Sequence, residues 1–189
     1  VVFSCSSLII IKFVNTQYFR EAAIHFLKHG VYTFADRTSL EYKSYWDEEE
    51  RRCKEGYTVG GVHITGEHYG YLNYAQIKVT QDANKHEIRE VSKDGHTQRA
   101  KRLTATKKEI FPDFYDGDYH YFKAKEFARE QGLHLCVGKA RRKGYSYKNG
   151  WIANNRYNLY PKSITVIGAH DSSYLYPRGT MQMVKEYMD

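Results

Sequence analysis

Cysteine is scarce in this chain. Cys5, Cys53 and Cys136 are odd in number and lack metal-ligand spacing, which argues against a disulfide framework and fits reduced thiols in a cytoplasmic setting. Long apolar runs are missing too. The stretch Val1–Val14 is broken by Ser4, Ser6, Ser7 and Lys12, well short of the ~20 residues that span a bilayer. It also lacks the basic start and small-residue cleavage site of a secretory signal. There are no internal repeats or low-complexity tracts. No Ser-His-Asp or Cys-His grouping can be justified from spacing. His63 and His68, with Glu67 between them, invite a metal reading, but no Cys-Cys or His-Glu-x-x-His pattern supports it. A structural or surface role is expected for both histidines.

Acid is the minority charge. The chain carries 22 Asp and Glu against 29 Lys and Arg, a net +7, with an isoelectric point of about 9.1. Such a balance favours polyanionic partners such as nucleic acid, although many ordinary surfaces are basic as well. What is abundant is tyrosine, 18 residues in all, able to fill a core or to stack on bases. At 189 residues the chain has room for one domain with a sizeable core, or for one small domain and part of another.

The spacing of Tyr18, Phe19, Ala22, Ala23, Phe26 and Leu27 predicts a helix opened by Asn15-Thr16 and ended by His29-Gly30. A second helix is expected from Ser39 to Lys54, its charge run a solvated face. Glycines 56, 60, 61, 66 and 70 punctuate short aromatic and β-branched runs, which predicts a twisted hairpin or small meander rather than helices. Residues 80–109 lose apolar periodicity. Arg99–Lys108 holds five basic residues and no acid, and reads as a solvated connector or a DNA contact. From Pro112 the pattern becomes α/β. Tyr121–Gln131 reads as a helix ended by Gly132, followed by a strand at Leu133–Val137, a basic loop, and a helix from about Ser146 to Leu159 stopped by Tyr160-Pro161. Ser163–Ala169 reads as a buried β-branched strand, and a last helix begins near Arg178. Strand, loop, helix and strand at this spacing are what a parallel, helix-covered sheet produces.

The basic loop is Lys139-Ala140-Arg141-Arg142-Lys143-Gly144-Tyr145-Ser146. A phosphate-binding loop needs a strand feeding a turn, a glycine where the backbone curls, and a helix supplying free N–H groups, with a hydroxyl at its start for Mg²⁺. All these parts are present, but the pattern G-x-x-x-x-G-K-[ST] is not matched. Aligned on Gly144 and Ser146, the lysine position holds Tyr145 and the first glycine position holds Lys139. A basic loop of no special chemistry remains the plain alternative.

The loop KARRKGYS resembles the variant Walker A motif of the large terminase subunits of tailed bacteriophages, in part of which the lysine opens the loop and an arginine sits in its middle. Two further stretches are similar to that family in the same order. Tyr57–Tyr74 (YTVGGVHITGEHYGYLNY) resembles a segment upstream of the ATP site, and Pro112–Phe122 (PDFYDGDYHYF) resembles the segment that opens the ATPase core. Together they cover roughly residues 40–189.

The resemblance implies an N-terminal helical and hairpin region over 1–110, with a basic connector at about 80–109. From 111 it implies the start of a P-loop ATPase domain with a helix-covered parallel sheet. It implies an ATPase that drives double-stranded DNA into a capsid in the host cell cytoplasm. The implied partners are double-stranded DNA, the portal ring, a small terminase subunit and further copies of itself, with no membrane. By the same resemblance Lys139 and Arg142 would act on the terminal phosphates, residues 139–146 would wrap ATP, and Ser146 would ligate Mg²⁺. Phe114 and Tyr115 are candidates to stack on adenine, or simply pack.

An apolar strand ending in Asp-Glu, which hydrolysis needs, is not found. Val166–Asp171 is superficially similar, but no glutamate follows Asp171, which reads as a strand-end residue. The chain opens on Val1 rather than methionine, and the recognisable motifs stop short of a full nucleotide-hydrolysing domain. It therefore reads as part of a longer protein, inactive in hydrolysis by itself. Two rival functions stay open: a non-catalytic nucleic-acid-binding module, and a P-loop enzyme of another kind.

Overall fold

The computed structural model describes residues 15–80, 107–139, 143–176 and 179–188. Asn15 caps a 3₁₀ turn at Thr16–Arg20, its side-chain oxygen accepting from the Gln17 N–H, and the turn runs into α1 (Glu21–His29). Gly30 ends α1 in the left-handed conformation, its N–H bonded to the Phe26 carbonyl. The Ser39 hydroxyl then accepts from the Tyr42 N–H at 3.1 Å and starts α2 (Leu40–Glu55). On the solvated side of α2, Glu48, Glu50 and Glu55 pair with Arg51, Arg52 and Lys54 at three- and four-residue spacing.

A short antiparallel hairpin follows, β1 (Tyr57–Val59) with β2 (Val62–Ile64), in the register Tyr57 to Ile64. The expected meander stops there. From Gly66 the chain forms a helix, α3 (Gly66–Tyr74), opened by the Thr65 hydroxyl accepting from the His68 N–H. The reason is burial. Residues 66–73 are all buried, so no polar face repeats at 3.6 residues to reveal the helix. Its glycines serve close approach rather than turning. A Cβ on Gly66 would lie 2.4 Å from the Cys53 carbonyl oxygen, and one on Gly70 would lie 2.6 Å from the Trp151 ring.

Downstream come α4 (Asp116–Glu130), α5 (Tyr145–Leu159), a 3₁₀ turn at Ser172–Tyr174, and α6 (Thr180–Met188). Helix α4 begins five residues before the expected Tyr121, with Asp116 and Asp118 in its first turn where the helix dipole favours acids. The described residues of 15–75 and 111–188 belong to one compact unit, in which α4 and α5 pack on the N-terminal elements and α6 packs on α5. That core gathers Phe19, Cys53, Val62, Ile64, Tyr69, Leu72 and Tyr119, with Phe114 and Leu159 against it. The described residues 76–80 and 107–110 belong to a second unit. There β3 (Ile77–Thr80) pairs antiparallel with β4 (Lys107–Ile110), Ile77 opposite Ile110. Of the basic connector, residues 81–106 lie outside the described residues.

The chain is thus mixed α/β, with two small antiparallel sheets among the described residues. The two strands expected on either side of α5 are not formed. Residues 133–139 and 163–169 are irregular and mostly exposed, Ile164 and Val166 to 89% and 88%. A parallel strand needs a neighbour to accept its backbone bonds. Among the described residues no strand lies alongside either segment, and both runs stay unpaired. The parallel sheet is therefore not part of the described structure.

Candidate functional site

The sequence-predicted loop leads into α5 through Gly144, whose φ of 69° and ψ of 15° place it in the left-handed region. A residue with a Cβ is disfavoured there, which is why glycine occupies the turn. No side chain caps α5 and its first turn holds no acid. The first full helical bond runs from the Lys148 N–H to the Gly144 carbonyl at 3.1 Å. The preceding N–H groups, at Tyr145 and Ser146, lie where a helix has no internal acceptor for them, at the positive end of its dipole. Ser146 is exposed, as are Lys139 and Lys143. The Lys139 ammonium sits 5.6 Å from the centre of the Tyr145 ring. That ring packs edge-on against Tyr121 at 4.9 Å, and the Tyr121 hydroxyl donates to Asn149 Oδ1 at 2.6 Å.

Two residues beneath the loop carry no motif. Lys148 and Asp118 are 4% and 8% exposed, and the Lys148 ammonium donates to Asp118 Oδ1. It also donates to the Lys143 carbonyl at 3.0 Å and lies 4.5 Å from the centre of the Tyr145 ring. Burial raises the Asp118 carboxyl from its usual range, and the Lys148 hydrogen bond and charge offset part of the rise. One signal for this pair was in the sequence. A lysine in the first turn of a helix faces the positive end of the dipole, so it needs a carboxylate nearby.

Of the other predicted site residues, Ala140, Arg141 and Arg142 lie outside the described residues. Phe114 and Tyr115 are separated by environment. Phe114 stacks on Phe19 at 5.5 Å and on His68 at 5.2 Å, as a packing residue does. Tyr115 is 60% exposed and remains accessible to a ligand. Asp171 precedes the turn at Ser172–Tyr174, its carbonyl accepting from the Tyr174 N–H at 3.0 Å, rather than ending a strand.

Neither histidine of the upstream stretch is placed to hold a metal. His63 Nδ1 hydrogen-bonds with Thr58 Oγ1 at 2.9 Å. His68 is fully buried and stacks on Phe122 at 4.8 Å, neither ring nitrogen having a partner. Burial, reinforced by the Lys148 charge, lowers it to about 3, so the ring is neutral. Among the described residues no three of His, Cys, Asp and Glu converge as a metal site.

Glu67 has the most elaborate set of partners. Its carboxylate is 6% exposed and pairs with Lys125 at 2.9 Å, Arg129 at 3.0 Å and Arg156 at 3.0 Å. Its backbone carbonyl accepts from the Trp151 indole N–H at 2.9 Å. One acid thereby joins α3 to α4 and α5. A cavity of about 270 Å³ lies between α2 and α5, walled by Trp46, Tyr74, Trp151 and Leu159. No helix among the described residues is long and apolar enough to cross a membrane. No protein-family profile matches the chain, and neither the curated proteins nor the solved structures hold a significant match to it.

Proposed function

We propose that the chain is the ATP-binding part of a viral DNA-packaging motor of the large-terminase kind, coupling ATP hydrolysis to movement of double-stranded DNA into a capsid. The observation that carries the reading is the exit of the basic loop. Gly144 turns it directly onto the uncapped, acid-free N-terminus of a 15-residue helix. The ordered resemblance of residues 57–74, 112–122 and 139–146 to that family supports the same reading.

The donor set fits a polyphosphate: an exposed lysine ammonium beside the Tyr145 ring, backbone N–H groups and an exposed hydroxyl belong to one loop and helix start. In this reading Lys139 meets the terminal phosphates, with Arg142 beside it. The backbone around Gly144 wraps them, and Tyr115 is the exposed aromatic left for the base. For Mg²⁺ the loop offers the Ser146 hydroxyl alone, because Asp118 is already paired with Lys148. The metal, bound with the nucleotide, neutralises phosphate charge. Residues 133–137 and 163–169 would be neighbouring strands of a parallel sheet completed by further strands. The partners would be double-stranded DNA, the portal ring, a small terminase subunit and further copies of the chain, in the host cytoplasm.

Titration with a fluorescent Mg-ATP analogue tests the site. Lys139→Ala should weaken binding by about tenfold or more. Lys143→Ala should be mild, because the resemblance gives the phosphate contact to the loop-opening lysine and Lys143 contributes its backbone carbonyl, which the substitution keeps. Equal losses would refute the choice of lysine. DNA binding that falls steeply with salt, together with no nucleotide binding, would favour the non-catalytic nucleic-acid module instead.

A further inference from the structure

We infer that Lys148 and Asp118 are positioning residues for the loop, a buried ion pair that aims the Gly144 N–H at an incoming anion. The inference rests on the phosphate-site reading of the loop. Three contacts of one ammonium define it. Lys148 donates to Asp118 in the first turn of α4, donates to the Lys143 carbonyl at 3.0 Å, and lies 4.5 Å from the centre of the Tyr145 ring. The loop exit, the first residue of α5 and the start of α4 are thereby joined at a single point.

The Lys143–Gly144 peptide is the part this arrangement controls. In a trans peptide the carbonyl oxygen and the following N–H point to opposite sides of the bond. The Lys143 carbonyl is turned onto buried Lys148, so the Gly144 N–H is directed away from it. Freed from Lys148, the peptide could rotate and present its carbonyl oxygen where a phosphate would be repelled.

Stability alone does not account for the pair. Both side chains are buried, and replacing such a pair by apolar groups of similar size is often neutral or stabilising. The lysine also sits in the first turn of a helix, which the dipole disfavours. An apolar contact would fill the same space but would leave the carbonyl direction unset. Fixing that direction is what a donor at this position adds.

The test is the double variant Asp118→Leu/Lys148→Met in the full chain, with Lys148→Arg as the variant that keeps a donor. Three quantities are measured: the thermal midpoint, the HN–Hα couplings of Gly144, which report the φ of 69° held there, and affinity for inorganic tripolyphosphate and for Mg-ATP. The double variant should keep a midpoint close to that of the wild type, change the Gly144 couplings, and bind tripolyphosphate about tenfold more weakly. Lys148→Arg should recover affinity to within roughly threefold of the wild type. Unchanged couplings, or unchanged affinity whatever the midpoint does, would overturn the positioning role and leave a merely structural pair. A wild-type chain that binds neither ligand would refute the phosphate-site reading itself. Changed couplings in the double variant would then still uphold the control of the peptide by Lys148. If the double variant does not fold, Lys148→Arg carries the test, and a loss of affinity there with an unchanged midpoint would overturn the role.

Discussion

His68 makes the stability of this fold depend on pH in a way the structure specifies. The ring is fully buried between Phe114 and Phe122, and both nitrogens lack partners. Burial and the Lys148 charge lower it from 6.5 to about 3. An unfolded chain takes up the proton near 6.5, whereas the folded chain does not until about 3. Between those values the unfolded state holds one more proton, so the contribution is fully present above 6.5 and is lost as pH falls. From about pH 7.5 to about pH 5.5 the loss from this one group is about 1.4 kcal/mol. At a urea slope of roughly 2 kcal/mol/M that is a midpoint shift of about 0.7 M. Asp118 acts in the opposite sense, because its raised value means the folded state holds the proton more readily. It is common to wild type and variant, so it cancels in their difference. Urea unfolding followed by tryptophan fluorescence at the two pH values, for wild type and His68→Phe, measures the effect. Wild type should lose about 1.4 kcal/mol more than the variant. Equal losses in the two proteins would show that the ring is protonated, or hydrated, in the folded state.

Glu67→Gln should cost about 3 kcal/mol, because it leaves three cations around a neutral amide. The lower part of the range for broken buried pairs applies, since Lys125, Arg129 and Arg156 are partly exposed and can rehydrate. The thermal midpoint should fall by roughly 6–12 °C, and a fall of under about 2 °C would refute the assigned role. Two glycine substitutions should differ in sign. In Gly70→Ala a methyl would lie 2.6 Å from the Trp151 ring, an overpacking of about 1–3 kcal/mol. In Gly117→Ala the methyl meets nothing within 4 Å and should stabilise by about 0.5–1 kcal/mol in the same denaturation assay.

Where local chemistry decides structure, the sequence was legible. Asn15, Ser39 and Gly30 sit at the caps where their side chains or left-handed backbone are needed, and Tyr160-Pro161 marks the end of α5. Gly144 and Ser146 were legible at the head of α5 for the same reason. Helix α3 was not, because a helix buried on every side has no periodic polar face, and its glycines imitate turn signals. The runs 133–137 and 163–169 have strand composition but no adjacent strand among the described residues, and composition cannot supply a partner. The buried pairs were hidden by distance along the chain. Asp118 and Lys148 are 30 residues apart, and Glu67 meets its cations 58 to 89 residues away.

The glycine- and tyrosine-rich stretch from 57 to 74 bears on the loop through α3 rather than through any reactive group. Gly66 and Gly70 let the helix backbone approach α2 and α5, and Asn73 donates to the Phe19 and Tyr69 carbonyls while accepting from the Ala23 N–H. Asn73 and Glu67 are thereby spent on joining elements. Glu67 is the most consequential of them. Its carbonyl holds Trp151 and its carboxylate holds Arg156, both on α5, while Lys125 and Arg129 bind it from α4. Those are the two helices whose first turns carry Lys148 and Asp118. The relative position of α4 and α5 sets whether that pair can reach, and the pair in turn holds the Lys143 carbonyl. A substitution at Glu67 therefore acts at the loop without touching it. Its effect on tripolyphosphate affinity should exceed that of an equally destabilising substitution in α1, and equal effects would show that α3 supports the fold without transmitting geometry to the loop.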